Sequence, residues 1–95
     1  MVVGVMSIYA QLHEPVSLKD KRRVIKSVLA KVQNRFNMSA AEVDYQDEWH
    51  RTALGFSCVS NEAAHADSML GAVLRFLESD PEMEIYDVAT EVIHI

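Results

Sequence analysis

The stretch QDEWHR, Gln46 to Arg51, gathers two carboxylates, an imidazole and a guanidinium around the chain's single tryptophan. Carboxylate beside imidazole is the equipment of general acid–base catalysis and of metal ligation. His13 supplies another imidazole upstream. Asp47 and His50 stand three residues apart, but in a polar connection and not on a helix, and no third ligand is evident. The pattern therefore assigns no catalytic residue and no metal site, and no cofactor is expected. Cys58 is the only cysteine, so it forms neither an intrachain disulfide nor a thiolate zinc cage. It alternates with Phe56 and is expected to be an inert buried thiol.

A second chemistry is written in charge. The net charge is −5, yet residues 17–36 carry seven cations against one acid, Asp20, whereas the rest carries two cations against thirteen acids. Lys19, Arg22, Arg23 and Lys26 recur at i, i+3, i+4 and i+7, forming one ridge on a helix. Cations near a helix start oppose the dipole by about 0.3–1 kcal/mol each, which favours a functional reason for them. Free N–H groups at that start, together with the cations, suit a phosphate or a carboxylate.

The elements that position these groups follow from periodicity. VVGVMSIYAQLH alternates as a strand, with Met6, Ile8, Ala10 and Leu12 on one face. Pro15 ends it. Ser17 is an N-cap with Asp20 three residues on, and Leu18, Ile25, Val28, Leu29, Val32 and Phe36 form the apolar stripe of a helix over 18–36, stopped at Asn37. MSAAEVDY predicts a short strand with Ala41, Val43 and Tyr45 on one side. RTALGFSCVS predicts another, with Leu54, Phe56 and Cys58 inward. Ser60 or Asn61 caps a second helix, whose stripe is Ala66, Met69, Leu70, Val73 and Leu77, and which Asp80-Pro81 breaks. MEIYDVATEVIHI predicts a last strand, with Tyr86, Val88 and Val92 inward. The order β-α-β-β-α-β over 1–95 implies a single α+β domain, a ferredoxin-like βαββαβ sandwich with two helices on one face of a four-stranded antiparallel sheet.

That topology brings the end of the first strand, the start of the first helix and the connection between the second and third strands to one rim. His13, Glu14, the segment from Ser17 to Lys26, and Asp47 to Arg51 become neighbours. Lys21 leans over the sheet edge toward QDEWH, where Asp47 or Glu48 partners Lys21 or Arg22. The candidate anion or nucleic-acid site is Ser17, Lys19, Lys21, Arg22, Arg23 and Lys26, adjoined by Asp47, Trp49, His50 and Arg51. Trp49 reads two ways, as a lid on one end of the core or as a ring stacking on a base beside the ridge. The ridge, too, reads either as a solvated face or as a binding surface. His65 and His94 read as ordinary surface residues.

Two activities of this architecture lack their hallmarks. An RNA-recognition module carries aromatics on the outer face of its central strands. Here the third strand offers Ala53, Gly55, Ser57 and Val59 outward, and the first offers only Tyr9. A phosphatase of this shape needs a Gly-rich loop after the first strand, and HEPVSLKD contains no glycine. The small, apolar outer face predicts a homo-oligomer, with a twofold dimer favoured. The N-terminal run is too short to span a membrane and has no basic leader, so the expected compartment is the cytoplasm.

SLKDKRRVIKS, followed by FNMSAAEVDYQDEWHRTALGFSCVSN, resembles the bacterial YlxP-like proteins, a domain of unknown function, over nearly the whole chain. The pairing of SLK-x-KR with F-N-x-S-x-A-E-V and D-x-W-x-R-x-x-L-G carries the likeness. It falls on Ser17, Leu18, Lys19, Lys21, Arg22, Glu42, Val43, Asp47, Trp49 and Arg51. The resemblance implies a ferredoxin-like fold and no established reaction. The family's gene neighbourhood, among translation-initiation, ribosome-maturation and tRNA-modification genes, implies work on RNA or the ribosome. Members usually have glutamine where this chain has His50, which argues against His50 as an acid or base. The reading that results is a non-enzymatic cytoplasmic factor contacting RNA or the ribosome through its basic first helix. The alternatives are a protein–protein adaptor, or a small-anion or enzymatic site at the same rim.

Overall fold

A computed structural model describes all residues, Met1–Ile95. The elements are β1 (Val2–Leu12), α1 (Leu18–Arg35), β2 (Ser39–Asp44), β3 (Arg51–Ser60), α2 (Ala63–Glu78) and β4 (Met83–His94). The strands form one antiparallel sheet in the order β2-β3-β1-β4, and both helices cover the same face. This is the ferredoxin-like arrangement that the element order implies.

Period-2 alternation builds the sheet's inner face. Met6, Ile8, Ala10 and Leu12 of β1, with Leu54, Phe56 and Cys58 of β3, turn toward Val24, Ile25, Val28 and Val32 of α1 and toward Ala66, Leu70, Val73 and Leu77 of α2. Gly4 lets α2 approach β1, because a Cβ there would meet Leu70 Cδ1 and Cys58 Sγ at 3.1 Å and Ala66 Cβ at 3.3 Å.

Three local expectations change. First, α1 stops at Arg35 with Phe36 as its C-cap, one residue before the expected end, and Phe36 rests edge-on against Phe76 of α2. Second, α2 starts after Glu62, which makes no side-chain cap bond; Ser60 Oγ accepts the Glu62 N–H instead. Third, Tyr86 does not turn inward but is 52% exposed. The β1–β4 register shifts between Tyr9 and Ala10, so Val88 pairs with Ile8 but Ile85 with Ala10. That bulge adds a residue to β4 and reverses the side on which Tyr86 falls. Val88 and Val92 remain on the inner side, half-buried opposite Ile8 and Gly4. Neither helix is long and apolar enough to cross a membrane.

Candidate functional site

The rim converges as the topology requires. The Leu12 N–H donates to the His50 carbonyl at 2.7 Å, tying the end of β1 to the β2–β3 connection. The start of α1 joins them through Lys21, although not in the expected manner. Lys21 is 0% exposed, so it cannot belong to a surface that binds anions. Its Nζ lies 3.1 Å from Glu42 Oε2 and donates to the Tyr45 carbonyl. Neither Asp47 nor Glu48 partners it. The Glu42 carboxylate also accepts from the buried Thr52 hydroxyl. Inside a protein a lone ammonium is costly, and these oxygens are what make its burial tolerable. Tyr45 presents its carbonyl from a left-handed backbone, φ 60°, a conformation that costs a non-glycine residue about 1 kcal/mol.

The remaining cations of the first turns are largely engaged. Ser17 Oγ accepts the Asp20 N–H at 3.0 Å, as the cap predicts. Arg23 donates to Asp20 Oδ1 at 2.9 Å, and Asp20 also takes the Val16 N–H at 3.4 Å. The Arg23 hydrogen bond, then the Val16 N–H, hold the Asp20 carboxyl below its usual range, and Asp20 in turn raises Arg23. The negative charge that a helix start favours is thus supplied by the chain itself. Arg22 and Asp47 stand 3.8 Å apart and exposed, too far for a hydrogen bond but the expected pair. Lys19 and Lys26 are exposed with no acid within 4.0 Å.

In the connection, Arg51 grips Glu48 with two bonds of 3.0 and 2.9 Å, and its guanidinium sits 4.3 Å from the centre of the Tyr45 ring. The Glu48 bond raises the Arg51 pKa. Trp49 is 47% exposed with its ring 6.5 Å from that of His50, so it does not seal the core. His50 is exposed and contributes its carbonyl, not its ring, to the rim. His13 reaches only Glu84, at 3.9 Å, and the structure contains no group of three or more metal-ligating side chains.

Beyond the rim the helical layer holds a cluster that the ridge pattern does not single out. Arg35 lies over the rings of Phe76 (5.1 Å) and Phe36 (5.8 Å), beside Lys31, and Arg75 lines the adjoining groove. Arg35 and Arg75 occupy the last turns of their helices, where the dipole favours cations. The signal was available: Lys31 and Arg35 are one turn apart on the flank opposite the ridge. Lys19, Lys26, Lys31, Arg35 and Arg75 are the cations without an acid within 4.0 Å, and every one of them is on a helix. Of the fourteen acids, only Asp20, Asp67 and Glu78 are helical.

Comparison with known proteins bears on identity. Among solved structures, a de novo designed protein with a ferredoxin fold aligns over 100% of this chain and 88% of its own, at 15% identity and a TM-score of 0.46. The uncharacterized protein YlxP of Bacillus subtilis (strain 168) is 39% identical over 90 residues, covering 95% of this chain and 98% of that protein. Residues 3–90 match the family described as "Protein of unknown function (DUF503)". With nearly its whole length matched, and with the buried Lys21–Glu42 pair formed by two residues of the YlxP-like motif, the chain belongs to the DUF503 family of YlxP-like proteins.

Proposed function

We propose that the protein is a non-enzymatic cytoplasmic factor that binds structured RNA, free or within the ribosome, through its helical layer. The observation that carries this reading is the segregation of charge: all five cations free of acid partners lie on α1 and α2, on a molecule that is acidic as a whole. The contact surface is Lys19 and Lys26 on the outward side of α1, continued by Lys31, Arg35 and Arg75 around Phe76. Arg22, only loosely held by Asp47, can join it. Arg23 is already committed to Asp20, and Lys21 serves the fold. A small-anion site at the start of α1 has less support, because Asp20 occupies that position.

Fluorescence anisotropy with a labelled RNA hairpin tests the reading. About four phosphate contacts give a roughly hundredfold loss of affinity between about 50 and about 200 mM salt. Lys26→Glu with Lys31→Glu, both exposed positions, abolishes binding while the circular dichroism spectrum is retained. Binding that is indifferent to salt, or unchanged in the double variant, refutes it. Pull-down before and after nuclease treatment separates RNA from a protein partner: partners that persist after nuclease support an adaptor instead.

A further inference from the structure

The sheet's inner face is covered by two helices, and its outer face is covered by nothing in this chain. Val3, Val5 and Tyr9 of β1 point to that outer face, with Val59 of β3 and Ile93 of β4 beside them. Val59 is 64% exposed and Ile93 40%. The centre is lower than the ends. Ser7 and Gly55 are neighbours there, and the Val43 side chain lies over Gly55, with Cγ1 2.9 Å from where a Cβ would stand. A shallow groove of about 350 Å³ runs past Val5, Ser7, Ala41, Gly55 and Ser57.

The edges of the sheet discourage strand addition. On β4 the outward positions include Glu84, Asp87 and Glu91, and the strand carries a bulge; β2 is six residues long and its register shifts between Glu42 and Asp44. Short, bulged and charged edges resist pairing with another strand. An associating partner therefore meets the face, not the rim of hydrogen bonds.

We propose that this outer face packs against the same face of a second copy of the chain, forming a twofold sheet-on-sheet dimer. The area fits the occupant. Four strands about 4.8 Å apart, averaging about ten residues rising about 3.3 Å each, give a footprint of roughly 600 Å² before pleating is counted. A stable interface takes about 800 Å² of accessible surface per partner, so nearly the whole face is required. Full overlap places the axis near the sheet's centre, between β1 and β3.

Charge then selects the direction of the axis. With the axis running across the strands, β4 would lie on the partner's β4, acid column against acid column. With the axis along the strands, β4 lies over the partner's β2, whose outward positions carry one acid, Asp44, beside the uncharged Ser39, Ala41 and Val43, so three acids meet one instead of three, and β1 lies over the partner's β3. Tyr9 is then set over the side of the face where Ala53 and Gly55 leave room. The only cation at an outward strand position is Arg51, and Glu48 occupies it. An acidic or polyanionic occupant finds no counter-charge here. The helical layers of such a dimer face away from each other, so its formation does not depend on the RNA reading.

Sedimentation equilibrium of the full chain is the test. At about 100 μM protein the expected mass is twice 10.7 kDa, and it persists in about 1 M salt because apolar side chains supply the attraction and salt only screens the like-charged acids. Val59→Glu combined with Ile93→Glu, both exposed, returns the mass to 10.7 kDa with an unchanged circular dichroism spectrum. Ala41→Glu, an acid placed in the groove beneath the partner's acidic β4, does the same if the first variant folds poorly. A monomeric wild type overturns the proposal, whether the face is bare or awaits a different protein. So does a dimer that survives both variants, or one that dissociates in high salt or in Lys26→Glu.

Discussion

Replacing Lys21 with methionine is the sharpest perturbation of the rim. Methionine keeps most of the buried stem but removes the ammonium. Glu42, whose side chain is 15% exposed, then retains only the Thr52 hydroxyl, and the Tyr45 carbonyl keeps only the Glu48 N–H, at 3.1 Å. Removing one partner of a buried ion pair costs about 3–5 kcal/mol, and the residual exposure of Glu42 puts this case near about 3 kcal/mol. For a domain of 95 residues that is a fall in Tm of about 12–20 °C. Urea unfolding followed by circular dichroism and by Trp49 fluorescence measures it. The companion variant Lys21→Met with Glu42→Gln removes both charges while the amide oxygen still accepts from the Thr52 hydroxyl, and it recovers most of the loss, giving a coupling energy of about 2 kcal/mol. If Lys21→Met stays within about 0.5 kcal/mol of the wild type, well inside the range of ordinary surface changes, the ammonium is not holding the loop. The same conclusion follows if the second substitution deepens the loss.

Two further outcomes follow from contacts already described. Gly4→Ala drives a methyl group into Leu70 and Cys58, so it destabilises by about 1–3 kcal/mol in a thermal melt; a neutral result would mean that α2 can lift from β1 at no cost. Asp20 titrates below an ordinary aspartate because the Arg23 and Val16 donors favour its ionised form. The stabilisation it lends is therefore complete above the ordinary aspartate pKa, about 4, and is lost as pH falls through its own lowered value. Carboxyl-detected NMR should show Arg23→Ala moving that midpoint upward, and an unmoved midpoint would mean that Arg23 is not the cause.

The fold was legible because its apolar residues keep time. β1 and β3 alternate without interruption, and the stripes of α1 and α2 hold their spacing, so the element order and the convergence of the rim could be read directly. Tyr86 was misread because a bulge is invisible to a strict period of two. Lys21 was misread for a different reason. It lies on the same helical face as Ile25, Val28 and Val32, at the middle of the buried stripe, and a lysine there is ordinarily assigned to solvent by type. Glu42 gave the matching signal, since it shares an inward parity with Ala40 on β2. A charge out of place on each of two elements, opposite in sign, was the clue to an internal pair. Which of the helix cations would lack partners was not legible, because that depends on where Asp20, Asp47 and Glu48 come to rest in three dimensions.

The strand order has a consequence for how the molecule is made. β1 lies in the interior of the sheet, flanked by β3 and β4, yet it is the earliest strand of the domain to be synthesised. In its pairing with β4, Val2 stands opposite His94 and Leu12 opposite Met83, partners separated along the chain by both helices and the other two strands. During translation the apolar residues of β1 wait, unsheltered on one side, until β4 has left the ribosome. Such non-local closure slows folding and exposes the nascent chain to aggregation. A truncation that removes β4 therefore strips one whole side of the oldest strand, and the fragment should be retained by chaperones rather than released as a smaller domain.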